Sequence, residues 1–188
     1  PIITQNSFCF RYRSLMNKHP YYSIYIENGA RIILTPCPGT KSVELNESLK
    51  DLKQAGTTVL LTLMSDEEMT ENQIEFIPQL CKQQQITWLQ LPIVDDDVPN
   101  KVFENKWKQY QALILATIIN GGCLTIHCKG GKGRTGLVAA MILTCYGWPI
   151  EKVISCIQNV RPEALKVKEQ LAYLRYFSEQ KEWNLYKS

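Results

Sequence analysis

Short apolar runs and helix-spaced apolar positions alternate along this chain, and turn residues punctuate them. Arg31-Ile-Ile-Leu-Thr35 is an apolar run closed by Pro36, the mark of a strand. Leu45, Leu49 and Leu52 share one helical face that stops at Gly56. Thr57 to Met64 is β-branched and apolar, a buried strand. Thr70, with Gln73 three residues on, forms a capping box ahead of Ile74, Ile77, Leu80 and Cys81, so the pattern predicts a helix there. Ile86 to Leu91 is a third strand, and Phe103, Trp107, Tyr110, Ile114 and Thr117 mark a longer helix halted by Asn120-Gly121-Gly122. Cys123 to His127 is a fourth strand, followed by a helix from Gly136 to Tyr146 that Gly147 closes. Two more helices fit 150–160 and 163–182. Residues 1–30 are rich in Tyr and polar groups and show no period; they read as an N-terminal extension packed on a domain of residues 31–188.

Strands alternating with helices predict an α/β fold with a mainly parallel central sheet flanked by helices. The 188 residues, 45% apolar and 21% charged, suit one globular domain with a self-sufficient core. A net charge of +3 is too mild for binding by bulk field, so no nucleic-acid partner is expected. The uncharged stretch 109–128 is cut by Asn120-Gly121-Gly122, and 135–150 is short and holds Gly147 and Pro149, so no transmembrane segment is expected. No secretory leader opens the chain, although it begins with Pro1 rather than Met, as a trimmed chain would. Seven cysteines without a C-x-x-C, and only His19 and His127, argue against zinc, and six of the cysteines fit packing thiols in a reducing, cytoplasmic setting. A monomer is expected.

In open α/β sheets the ligand lies beyond the carboxyl ends of the strands. Two strand ends carry unusual chemistry: Val94-Asp-Asp-Asp-Val98 and Cys128-Lys-Gly-Gly-Lys-Gly-Arg134. Gly131, Gly133 and Gly136 match a dinucleotide fingerprint in form, but the fingerprint belongs to a first strand, and Glu151 opens a helix where the acid should end a strand. A P-loop fails because Lys132 precedes Gly133. The remaining reading explains why a Cys opens the loop and an Arg ends it. Backbone N–H groups of the loop and a helix N-terminus make a concave anion site. Those dipoles and the Arg134 charge favour a Cys128 thiolate, and the planar guanidinium of Arg134 matches two phosphate oxygens. A nucleophilic sulfur beneath a phosphate cradle implies phosphoryl transfer through a phosphocysteine.

His127-Cys128-x5-Arg134-Thr135 resembles the signature of cysteine-dependent protein tyrosine and dual-specificity phosphatases. The wider chain, from Leu34-Thr-Pro-Cys-Pro-Gly39 through Leu91-Pro-Ile-Val-Asp95 to Arg161-Pro162 and Glu169-Gln170, is most similar to the cyclin-dependent-kinase-associated phosphatase subgroup. The resemblance implies a protein-tyrosine-phosphatase-like fold of dual-specificity size over residues 31–188. It implies that His127 orients the loop, that the Thr135 hydroxyl helps the thiolate leave, and that Lys129, Gly130, Gly131, Lys132, Gly133 and Arg134 bind the substrate phosphate. A leaving oxygen needs a proton; the resemblance places that acid at Asp95, with Asp96 and Asp97 its neighbours in register, and Gln170 at the position that aligns the hydrolytic water. Gln170 is otherwise an ordinary exposed helix residue. Two departures stand out: Lys132 replaces a small or apolar residue, and Asp96-Asp97 replaces a Gly pair.

Asp95-x-Asp97 also resembles the nucleophile motif of haloacid-dehalogenase-type phosphatases, but Pro92 interrupts the strand and no later acidic pair is placed to hold Mg²⁺. The expected substrate is a phosphorylated protein. A phosphoinositide is the alternative, because Lys129 and Lys132 make the loop resemble that of the tensin-homologue phosphoinositide phosphatases. No cofactor is expected, since Arg134 and backbone dipoles supply the charge stabilisation. Cys123 and Cys145 lie near the loop in sequence, where either could form a disulfide with an oxidised Cys128; packing is their more ordinary role.

Overall fold

A computed structural model describes residues 18–180. Residues 1–17 of the expected extension, Cys9 among them, and the end of the 163–182 helix lie outside the described residues. Five strands and seven helices follow the order β1 (Tyr22–Tyr25), β2 (Arg31–Thr35), α1 (Leu45–Gln54), β3 (Val59–Thr62), α2 (Asp66–Glu71), α3 (Ile77–Gln83), β4 (Thr87–Gln90), α4 (Lys101–Ile119), β5 (Cys123–His127), α5 (Gly133–Cys145), α6 (Ile150–Val160) and α7 (Lys168–Glu179). The sheet order is β1-β2-β5-β3-β4. All pairs are parallel except β1 with β2. The mixed α/β fold with its mainly parallel sheet is therefore present.

Alternation along the strands builds two cores. Ile32 and Leu34 of β2, Leu61 of β3, and Leu124 and Ile126 of β5 pack with α4 to α7 in the larger one. Ile33, Leu60 and Cys123 face the other way and join Leu49, Leu52, Met69, Ile77 and Cys81 from α1 to α3. Burial on both faces is why these strands read as unbroken apolar runs rather than alternating ones. The register aligns Thr35, His127 and Thr62 across the carboxyl ends of β2, β5 and β3. This row is the floor of the site.

Four local readings change. β1 forms within the segment read as an extension; four residues are too few to show a period, and β1 is held by its ladder to β2. The capping box is Ser65 with Glu68, which opens α2, while Thr70 sits inside that helix and Gln73 turns with φ of 57°. Both S/T-x-x-E/Q runs satisfy the same local pattern. Helix α5 begins at Gly133, three residues earlier than its apolar period indicates. Helix α7 begins at Lys168 rather than at 163, because the chain turns through Leu165 with φ of 55° after Pro162 has ended α6 at Arg161.

Candidate active site

Strand β5 delivers His127 and Cys128 to the end of the sheet, and the loop 128–132 leads into α5. Gly131 has φ of 65°, and a Cβ there would overlap the Thr35 carbonyl and Pro36, so only glycine lets the loop lie against β2. Gly130 meets nothing within 4 Å of a built Cβ and keeps an ordinary φ, as does Gly133, so backbone freedom is needed at one of these three positions. Because α5 starts at Gly133, the N–H groups of its first turn lack intrahelical partners and border the loop. Gly136 packs so closely on Ala164 that an added Cβ would lie 2.6 Å from the alanine's own. Arg161, nearly buried and stacked 4.3 Å over the Tyr22 ring, donates to the carbonyls of Gly131 (3.1 Å) and Gly130 (3.3 Å). It props the loop from behind.

Cys128 is 3% exposed, and the Thr135 hydroxyl donates to its Sγ at 3.1 Å. Arg134 is fully buried along its side chain. Its Nη1 donates to both Glu68 carboxylate oxygens (2.9 and 2.8 Å) and to the carbonyl of Ile93 (3.0 Å). Its Nε and Nη2 are buried without a hydrogen-bond partner; Nη2 lies 3.1 Å from Asp95 Oδ1, a charge contact outside hydrogen-bonding angles. One nitrogen thus anchors the guanidinium, leaving the Nε–Nη2 edge, the two-donor fork that fits a phosphate. Burial alone would lower the Arg134 pKa, but the Glu68 hydrogen bond and the negative charges of Cys128, Glu68 and Asp95 raise it, so the group stays cationic.

Glu68 is a residue the sequence reading missed. The same carboxylate accepts from the Ser65 N–H (3.2 Å) in the capping box, so the Ser65-x-x-Glu68 pattern was the available signal. His127 is buried, with Nε2 bonded to Thr62 Oγ1 (2.8 Å), which also accepts from Trp88 Nε1 (2.8 Å). Burial first, then the charges of His19 and Arg134, push the His127 pKa down to about 3. It is a neutral, fixed ring. His19 lies beside it, hydrogen-bonded to Thr35 (2.6 Å), and burial brings its pKa down to about 4.

Asp95, Asp96 and Asp97 form an exposed turn in which Asp96 takes φ of 56°. Of the three, Asp95 contacts the Arg134 guanidinium. Gln170 is fully buried, which removes its reading as an ordinary exposed residue; its Nε2 donates to the Asp97 carbonyl at 2.9 Å. Lys129 and Lys132 are exposed, and Lys132 pairs with Glu163 at 3.0 Å. Cys123 opens β5, about 16 Å along the strand from Cys128, and Cys145 ends α5, about 16 Å from Arg134, so neither reaches Cys128 for a disulfide. Cys37 is nearer, its N–H bonded to the Lys129 carbonyl (3.1 Å). Burial and the Cys128 charge push its thiol up to about 12, so it stays protonated. Among the described residues no cluster of His, Cys, Asp and Glu suits a metal ion.

The family model described as "PTP-SAK: Swiss Army Knife protein, DSP-PTPase phosphatase domain" matches residues 39–181. The chain is 28% identical over 150 residues to protein tyrosine phosphatase type IVA 3 of Mus musculus, covering 78% of each chain. It is 33% identical over 70 residues to phosphatidylglycerophosphatase and protein-tyrosine phosphatase 1 of the same species, covering 37% of this chain and 33% of the relative. Its fold is similar to that of kinase associated phosphatase (TM-score 0.75, 20% identity, covering 87% of this chain and 96% of the other). It is also similar to PTPMT1 in complex with PI(5)P (TM-score 0.62, 22% identity, covering 86% and 96%). A Cys beneath a buried Arg fork, on a loop that the family model spans, gives these matches their meaning: the chain belongs to the DSP-PTPase phosphatase domain family, among the cysteine-dependent dual-specificity and protein tyrosine phosphatases.

Proposed function

We propose that this domain hydrolyses phosphate monoesters of proteins through a phosphocysteine at Cys128. The single observation carrying this reading is the Arg134 edge, Nε and Nη2, buried without hydrogen-bond partners beside Cys128 and Asp95. In the first step the Cys128 sulfur donates an electron pair to phosphorus, the bond to the leaving oxygen breaks, and Asp95 gives that oxygen a proton. The loop N–H groups and Arg134 hold the three equatorial oxygens. In the second step Asp95 takes a proton from water, the water oxygen bonds phosphorus, and sulfur leaves with help from the Thr135 hydroxyl. His127, neutral and fixed by Thr62, orients the strand end and takes no part in proton transfer. The chemistry needs a reduced Cys128, which suits a reducing intracellular compartment; no helix among the described residues is long and apolar enough to cross a membrane. Turnover of an aryl phosphate that survives EDTA and disappears in Cys128→Ser supports this reading. Chelator-sensitive turnover that persists in that variant overturns it.

Phosphoinositides are the second reading, favoured by one observation: two exposed ammonium groups, Lys129 and Lys132, on the cradle itself. One relative is named a phosphatidylglycerophosphatase and one similar structure holds PI(5)P. Phosphoprotein remains the first choice because Glu163 already neutralises Lys132. A panel of phosphotyrosine peptide, phosphothreonine peptide and inositides separates the two. Loss of inositide turnover alone in Lys129→Ala/Lys132→Ala favours the lipid reading, while wild-type protein inactive on inositides removes it.

A further inference from the structure

We propose that Gln170 is a positioning residue that latches the acid loop over the phosphate loop, and so acts in the first chemical step. The inference rests on reading Asp95 as the acid. Gln170 lies in the first turn of α7, fully buried, between two segments that do not otherwise follow one another in the chain. Its Nε2 donates to the main-chain carbonyl of Asp97. Its Oε1 is buried without a partner and lies 3.5 Å from where a Cβ on Gly133 would sit, at the start of α5. One amide therefore touches the acid loop with its nitrogen and lies, oxygen and nitrogen alike, beside Gly133, where the phosphate loop enters α5. The acid loop needs such a fastening. Asp95, Asp96 and Asp97 are exposed, and the chain turns at Asp96 through a left-handed φ, which aspartate adopts more readily than most residues. Besides Gln170, the loop is held by Arg134, through the Ile93 carbonyl and the Asp95 carboxylate. Both Arg134 contacts precede the Asp96 turn, and the Gln170 bond is made after it. Cutting the second point frees the carboxylate to swing from the leaving oxygen.

The test measures kcat/KM, which reports the chain of steps up to leaving-group departure, on phenyl phosphate and on p-nitrophenyl phosphate. The phenyl leaving group depends on the acid more than the activated nitrophenyl one. The variants are Gln170→Glu, which keeps an acceptor oxygen but loses the donor to Asp97; Gln170→Met, which keeps volume and loses both polar ends; Asp95→Ala; and Asp95→Ala/Gln170→Glu. The latch predicts that either Gln170 variant lowers kcat/KM about tenfold on phenyl phosphate and less than about twofold on p-nitrophenyl phosphate. It predicts no further loss when Gln170→Glu is added to Asp95→Ala. Unchanged melting temperature identifies which of the two Gln170 variants is to be read. An unchanged kcat/KM on both substrates, with a burst of nitrophenolate and a slowed steady state, assigns Gln170 to water alone and overturns the latch. Equal losses on both substrates that persist without Asp95 overturn it as general damage. If Asp95→Ala itself shows no leaving-group dependence, the acid reading falls and the latch with it; a dependence in Asp95→Ala but none in the Gln170 variants removes the latch alone.

Discussion

The two loops at the carboxyl end of the sheet solve opposite problems. The phosphate loop, Cys128 to Lys132, continues a fully buried strand into a buried helix. It is pressed on β2 at Gly131 and propped by Arg161. The acid loop, Val94 to Asp97, leaves the sheet beyond β4, is exposed at every residue, and is fastened from outside by Arg134 and Gln170. A cradle for charge must be organised before the substrate arrives, because preorganised dipoles are what stabilise developing charge. An acid must reach the leaving group and be exposed enough to exchange protons afterwards. Rigidity is built into the first loop and supplied to the second by its neighbours.

If that division holds, Asp95→Ala is the largest break on the acid side. It should lower kcat by about 10²–10⁴-fold on a poor leaving group with little change in binding. Asp96→Ala and Asp97→Ala should lower it by less than about fivefold, since of the three only Asp95 contacts Arg134. A full loss at Asp96 or Asp97 would shift the acid by one register. Next in size, Arg134→Lys keeps the charge but removes the fork and its shared anchor on Glu68; kcat/KM should fall about 10²–10³-fold. Retention of near wild-type turnover would show that a point charge is enough and that the buried geometry is incidental.

The contrast between built-in and supplied rigidity also predicts an asymmetry between adjacent glycines. Gly131→Ala meets a left-handed φ and the β2 backbone, so it should cost about 2–4 kcal/mol, read as a fall in Tm. Gly130→Ala meets open space and should stay within about 0.5 kcal/mol. Equal effects would mean the loop is not seated on β2. The smallest effect concerns the floor beneath both loops. His127 and His19 have folded pKa values of about 3 and about 4, below the ordinary 6.5. The unfolded chain therefore takes up protons first as pH drops below 6.5, and stability present above that pH is lost on the way to 4 and 3. Tm should fall by on the order of 5 °C between pH 6.5 and 5, and His19→Gln should flatten that slope.

Much of the site was legible in one stretch of sequence. His127, Cys128, Arg134 and Thr135 are neighbours in the chain and sit where a strand becomes a helix, so spacing alone placed them together. The boundary of α5 was less legible: a glycine-rich run reads as loop, yet Gly133 is already helical because the tight turn at Gly131 ends the loop there. Glu68 was legible only as a capping residue, and the contacts of Glu68, Arg161, Thr62 and Trp88 were not legible, because each acts on a residue more than twenty positions away.

Local patterns in the chain were enough for the order of β2 to β5 and of the helices other than α2, for the two strand-end loops, and for the nearness of the Cys128 sulfur and the Arg134 guanidinium. Those follow from local periodicity and from groups joined by a few covalent links. Packing across the sheet set which Arg134 nitrogen is spent on Glu68, that Cys37 rather than Cys123 or Cys145 lies near the site sulfur, and that Gln170 is buried with its amide on the acid loop. Those depend on register and helix docking, which place residues far apart in the chain against one another, and no short-range pattern encodes which acceptor a buried donor will find.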